Sequence, residues 1–357
     1  MKWSYRIGRI AGTDIKVHVT FLLLVGLWAV EGYQEGGTRG AVAATLFLIA
    51  LFASIVLHEF GHVLMARRFG VRTPDVILLP IGGVARLERI PDEPKQELLI
   101  AIAGPAVTLA IVIVLWSLLQ LTQQPIMEGL DPGRPILPLL FVGNLWLLLF
   151  NLIPAFPMDG GRVLRALLAS RLGMVRGTRI AASLGQMLAI AGGVYGFVGD
   201  QPFLILIAFF VFLGANAEAA AVETRAAGQG LNVGQMMVTN FRTIPVHAPL
   251  SQAVELLLSG EQREFPVVDN LGRTEGILTR DNLIRGLSER GPASIVAQAM
   301  TTDVPVVSPT VGFQEALERL RSSRLPALPV VDGAGALVGL LTQDNINDHL
   351  LVRRAAS

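Results

Sequence analysis

Residues 57–62 read LHEFGH, which contains the pattern H-E-x-x-H. On a helix His58 and His62 share one face, with Cβ atoms about 5–6 Å apart. That spacing lets two imidazoles converge on one Zn²⁺, while Glu59 stays close enough to act as general base toward a metal-bound water. The residues just before it, Gly40–Val56, carry no charge. Two histidines and a glutamate in such a run cost several kcal/mol unless they are paired or bound to something. Stray interfacial histidines are therefore the poorer explanation.

Zinc in a hydrolase needs a third protein ligand and an open fourth position. The chain has no cysteine, so a carboxylate or histidine must complete the set. The candidate is Asp159 in NLIPAFPMDGG (Asn151–Gly161). Pro154 and Pro157 break the apolar run just before it, and irregular backbone at membrane depth is tolerated only where protein or a water-filled cavity satisfies it. A broken span beside a carboxylate is a way to aim that carboxylate into a bundle.

The elements that must position these groups follow from composition. The chain has 357 residues, 52% apolar, with a mean hydropathy of +0.55 and a formal charge of +1. It is too apolar for an ordinary soluble protein and too near neutral for a polyanionic partner, so no direct nucleic-acid binding is expected. Six apolar runs are long enough to span a bilayer: 17–34, 40–66, 97–121, 135–155, 179–199 and 202–221. Lys and Arg concentrate at the N-terminus (Lys2, Arg6, Arg9), between the second and third runs (Arg67, Arg68, Arg72, Arg86, Arg89, Lys95), and between the fourth and fifth (Arg162, Arg165, Arg171, Arg176, Arg179). The first and third loops carry one basic residue each, Arg39 and Arg134. This alternation predicts a multi-pass protein of the cell membrane with both termini cytoplasmic. The first run lacks a small-residue cleavage site and reads as an uncleaved span. His18, at its start, reads as an interfacial residue.

H-E-x-x-H in one span and N-x-x-P-x-x-P-x-D-G in a later one resemble the site-2 proteases, the intramembrane zinc metalloproteases. The resemblance covers roughly residues 1–225. It implies one zinc ion held by His58, His62 and Asp159, with Glu59 as catalytic base. It further implies that Asn151 hydrogen-bonds to substrate and that Gly104–Pro105 has a structural role. The substrate it implies is a membrane-anchored protein, a transcription regulator or its anchor, cut near the cytoplasmic face of the lipid bilayer. Val76–Glu88, with Gly82 and Gly83 at its centre, reads as a short hairpin whose edge could hold an extended substrate by strand addition.

Beyond about residue 222 the chain turns polar and mixed. FPVVDNLGRTEGILTRDNL recurs 63 positions later as LPVVDGAGALVGLLTQDNI. This resembles a tandem pair of CBS domains, placed at 233–291 and 296–350. Each unit is expected to run strand, helix, strand, turn, strand, helix. The resemblance implies an adenine nucleotide near Thr279, Asp281, Asn282 and Thr342, Asp344, Asn345. The family's Asp three residues after Thr is here Asn282 or Asn345, so binding should be weak. A dimerising role, giving a homodimer through the CBS module, or a docking role is the other expectation. The expected fold class is a polytopic α-helical membrane protein of six transmembrane helices with a C-terminal soluble α/β tandem CBS module. A non-proteolytic membrane sensor or scaffold is the rival, disfavoured because Glu59 stands intact beside both histidines.

Overall fold

The computed structural model describes residues 3–80, 82–86, 88, 91, 93–124 and 136–356. Lys2, Arg89, Arg134, most of the 122–134 loop and two positions of the expected 76–88 hairpin lie outside the described residues. Two compact units emerge, Met1–Val222 and Glu223–Ser357.

In the first unit, strands β1 (Ser4–Ile10) and β2 (Thr13–His18) lead into helix α1 (Val19–Arg68). The helix is broken at Gly36 (φ −137°) and Gly37 (φ +60°), the latter a backbone state that side chains rarely adopt. A Cβ on Gly40 would lie 2.1 Å from the carbonyl oxygen of Gly32. Eight residues of straight helix would separate these two by about 12 Å, so the chain reverses here into an antiparallel pair. The rings of Phe21 and Phe52 then meet across the pair, tilted at 59° with centroids 4.4 Å apart. Strands β3 (Asp75–Leu79) and β4 (Gly82–Arg86) follow, then helices α2 (Pro94–Thr122), α3 (Ile136–Asn151), α4 (Asp159–Leu172), α5 (Met174–Val198) and α6 (Pro202–Ala227). By length and composition α1, α2, α5 and α6 could cross a membrane, and α3 is a shorter apolar helix.

Two features depart from the sequence expectation. The hairpin is part of a four-stranded sheet, β1-β2-β3-β4, because β2 pairs in parallel with β3. Only β4 of the hairpin is therefore an edge. Asp75, buried in β3, is bound by Lys16 of β2 at 2.5 Å and by Arg86 of β4, tying the edge strand down. The Arg86 guanidinium, then the Lys16 ammonium, hold the Asp75 carboxyl below the usual carboxylate range. The second departure is at 159–172, expected as a basic loop, which is helix α4 with Arg165 only 2% exposed. Its arginine is taken up by carboxylates of neighbouring helices rather than by headgroups.

The second unit comprises α7 (Val233–Met236), β5 (Ile244–Pro245), α8 (Leu250–Leu258), β6 (Glu264–Val268), β7 (Thr274–Thr279), α9 (Arg280–Arg290), α10 (Phe313–Ser323), β8 (Ala327–Val331), β9 (Leu337–Thr342) and α11 (Gln343–Ala356). The 63-residue repeat is kept in the strands: β6 and β7 have the same spans and pairing register as β8 and β9, 63 positions on. The leading strand is reduced in the second copy to a bridge, Val307 to Val330. The copies interlock. Val238 exchanges both backbone hydrogen bonds with Leu340, and its equivalent Thr301 does the same with Ile277.

Glu264 opens β6, and burial first, then the Asp344 and Asp281 carboxylates, push its carboxyl up, against the pull of Arg263. A raised acid binds its proton more tightly when folded, so its ionisation lowers stability as pH rises through and above the ordinary Glu range near 4.3. Glu264→Gln should slow hydrogen exchange across residues 264–279 in the full chain at pH 7. The gain should vanish below about pH 4.

Candidate metal centre

His58 and His62 lie one turn apart on α1 and are 3% and 4% exposed. Asp159, 6% exposed, is the first residue of α4. The helix starts there because α3 ends at Asn151 and 152–158 form a prolyl loop, with a cis bond at Phe156–Pro157. The glycines of DGG are a matter of contact. A Cβ on Gly160 would meet the carbonyls of Leu152 and Ile153 at 2.4 Å, and one on Gly161 would meet Ala155 and Phe156 backbone at 2.6–2.7 Å. The loop thus packs directly on the first turn of α4 and aims its carboxylate.

Asp159 Oδ2 is 3.0 Å from His58 Nε2 and 3.1 Å from His62 Nε2, and the two Nε2 atoms are 3.2 Å apart. A tetrahedral zinc site with ligands at 2.0–2.1 Å has ligand–ligand edges of about 3.3 Å. Helix α2 fixes the tautomers. His62 Nδ1 is 2.7 Å from the carbonyl of Ile100, which only accepts, so Nδ1 carries the proton. His58 Nδ1 is 2.8 Å from Thr108 Oγ1, whose own proton points to the carbonyl of Gly104. With Nδ1 protonated and each ring neutral, both Nε2 atoms would present lone pairs toward the Asp159 carboxylate. A divalent cation among the three atoms would then be held by two imidazole nitrogens and one carboxylate oxygen. Gly104 supplies the space: a Cβ there would sit 2.2 Å from His62 Nε2 and 2.8 Å from His58 Nε2. The donor set and this cradle both fit a divalent cation.

Glu59 meets the edge strand β4. Its Oε2 accepts the backbone N–H of Ala85 at 3.2 Å. Gly82 adopts φ +130°, and a Cβ on Gly83 would approach Glu59 Cγ to 2.8 Å. The expected Gly pair is thus what lets the edge strand lie against the carboxylate. Asn151 is not brought into the cluster's hydrogen bonds; its Nδ2 donates to the carbonyl of Leu147 at 2.9 Å. His18 caps α1, accepting from the Thr20 N–H. In the second unit Thr279 and Thr342 cap α9 and α11, accepting the N–H of Asn282 and Asn345. Asn282 also donates to Thr301 Oγ1, and Asn345 to the carbonyl of Met236. Asp281 and Asp344 are exposed.

Sequence reading missed Thr108, the carbonyl of Ile100 and the buried pair Glu97–Arg165. Glu97 sits at the edge of an apolar run, and such residues in spans pair with something. That is the signal that was present. The backbone donors have no sequence signature.

Peptidase family M50 matches residues 46–135 and 133–192, and the CBS domain matches 233–289 and 296–352. Zinc metalloprotease MJ0392 of Methanocaldococcus jannaschii is 34% identical over 346 residues, covering 97% of this chain and 96% of its own. The solved site-2 protease from M. jannaschii is 40% identical, covers 61% of this chain and 95% of that one, with a TM-score of 0.47. The structure of CBSX2 in complex with AMP is 25% identical, covering 35% of this chain and 99% of that one, with a TM-score of 0.32. A set of apolar helices around a buried His/His/Asp cluster, followed by a CBS pair, is the make-up of a membrane zinc metalloprotease. The chain belongs to peptidase family M50, the site-2 protease family, and carries tandem CBS domains.

Filling the cradle should expel the metal. Gly104→Ala, purified and dialysed against chelator, should retain under a tenth of the wild-type zinc. Gly143→Ala, where the nearest atom is a flexible Leu51 methyl at 3.1 Å, should retain it.

Proposed function

We propose that the protein is an intramembrane endopeptidase that cuts membrane-anchored proteins near the cytoplasmic face. In this reading His58, His62 and Asp159 hold one zinc ion and Glu59 is the general base. The convergence of three buried metal-ligating side chains, their donor atoms 3.0–3.2 Å apart, carries the reading.

Bound zinc would polarise the scissile carbonyl and lower the pKa of a water from about 15.7 toward 7. Glu59 receives the proton of the attacking water at Oε1, while Oε2 is held by the Ala85 N–H. It returns that proton to the leaving amine. A substrate helix hides its carbonyls in i→i−4 hydrogen bonds and must unwind before cleavage. The edge of β4, running past Glu59 at Gly82 and Gly83, offers an extended segment backbone partners in place of those lost. Asn151 adds a carboxamide with bonding capacity beyond its contact to Leu147.

The protease domain is placed at 1–225, with six spans and both termini cytoplasmic. Its support is the reversal of α1 at Gly36–Gly37, which makes two apolar segments of one helix, together with α2, α3, α5, α6 and the Lys/Arg distribution. The CBS repeats, 233–291 and 296–350, are assigned a regulatory or docking role and a homodimer contact. Adenine nucleotide binds there weakly at best, because Asn282 and Asn345 are committed to interlocking the repeats and an amide oxygen accepts less strongly than a carboxylate. A transcription regulator or its anchor is the substrate class expected.

Glu59→Gln should keep zinc and lose proteolysis by about 10²–10⁴-fold. Mass spectrometry of membrane-spanning fragments in cells expressing each form reads this directly; matching fragment yields would remove Glu59 from the mechanism. Reporter fusions within 122–134 and after Ser357 should report opposite sides of the membrane. The same side for both would overturn the six-span topology.

A further inference from the structure

Arg165 is a buried cation that the chemistry above does not use. It lies six residues after Asp159, about 9 Å along α4, so it does not reach the donor cluster itself. Its guanidinium makes three attachments. Nε and Nη2 both donate to Glu97 Oε1, at 2.6 and 2.5 Å. Nη1 donates to Glu218 of α6. The plane lies over the Phe156 ring, 5.0 Å from its centroid. Arg165 and Glu97 are 2% and 4% exposed, and Phe156 1%.

What these partners do is the point. Phe156 belongs to the loop that packs on the first turn of α4 and aims Asp159. Glu97 begins a stripe on α2 whose next members are Ile100, Gly104 and Thr108. Spacings of three and four residues place these on one face. Ile100 and Thr108 orient the two imidazoles, and Gly104 leaves the space between them. One guanidinium thus cross-links the element that delivers the carboxylate to the element that orients both histidines. An axial slip of α2 against α4 of a single ångström would be felt in every 3.0–3.2 Å separation of the cluster.

The geometry points to Arg165 as the positioning residue of the metal centre: through Glu97 and Phe156 it holds the His58/His62 face and Asp159 in register for the metal. This rests on the ligand set proposed above. Outer contacts of this kind are worth about 10- to 100-fold in metal affinity. Lysine should not substitute, because a point charge cannot bond two carboxylates and stack on a ring at once. Glu218, four residues before the first unit ends, ties the same guanidinium to the helix that continues into the second unit.

The test separates register from general stability. The full-length chain in detergent, loaded with zinc, is challenged with a graded chelator, and zinc content and thermal midpoint are measured together. The variants are Arg165→Met, Arg165→Lys and Glu97→Gln. The control is Leu119→Ala, a fully buried α2 position about 16 Å along the helix from Thr108. The expected result is a 10- to 100-fold loss of zinc affinity in Arg165→Met and Glu97→Gln, and a loss of at least 5-fold (roughly) in Arg165→Lys. Leu119→Ala should hold zinc as wild type at an equal or lower thermal midpoint. With cobalt in place of zinc, the visible bands of Arg165→Lys should shift. If the three variants hold metal like wild type, or if Leu119→Ala loses it equally, Arg165 only braces the bundle and the inference is overturned. If wild type itself holds no stoichiometric zinc, the ligand set fails instead. Should Arg165→Met not fold, Glu97→Gln and Arg165→Lys decide alone.

Discussion

Uncompensated charge in an apolar interior is the constraint from which the first unit follows. Two imidazole nitrogens and a carboxylate oxygen buried within 3.2 Å of one another need a cation or a shared proton to hold them together. Buried Glu97 is paired with buried Arg165, which also reaches Glu218, and breaking such a buried pair costs several kcal/mol. These two polar groups share helices: α2 serves both, and α4 serves both. A bundle that satisfies one set of charges therefore restrains the other, and the metal centre is embedded in a charge pattern larger than its ligands.

Close approach is the second requirement, and glycine meets it. Gly104 brings the backbone of α2 against both imidazoles, and Gly160 and Gly161 bring the prolyl loop against α4. At each point a single carbon would occupy space taken by ligand nitrogens or backbone carbonyls. The edge strand meets Glu59 in the same way at Gly83, and the Lys16–Asp75–Arg86 bridge keeps that strand in the sheet. Because the sheet is anchored by β2, which runs straight into α1, the β4 edge and the histidine-bearing helix hairpin form one assembly.

In the second unit the same economy of polar groups accounts for a departure from family pattern. Thr279 and Thr342 cap helices, and the Asn residues that follow reach across to the lead segment of the other repeat. Both asparagines are thereby committed to holding the repeats together. The 63-residue periodicity and the reciprocal pairs Val238–Leu340 and Ile277–Thr301 express one pseudo-symmetric packing.

The sequence by itself determined what is local or compositional. H-E-x-x-H places two imidazoles on one helix face through the 3.6-residue period, and the absence of cysteine restricts the donor types. Apolar runs mark the helices, prolines follow α3 before Asp159, and a recurrence at 63 residues marks the CBS repeats. Only the tertiary structure decided which long-range groups complete these pieces. Parallel pairing of β2 with β3, the carbonyl of Ile100 on His62, the Ala85 N–H on Glu59 and the seat of Arg165 join residues dozens of positions apart. Backbone donors and acceptors are identical at every residue and leave no trace in composition. An arginine reads the same whether it meets headgroups or a buried glutamate. Which of these it meets is settled by packing, because in an apolar interior each charge goes where a partner of opposite sign can reach it.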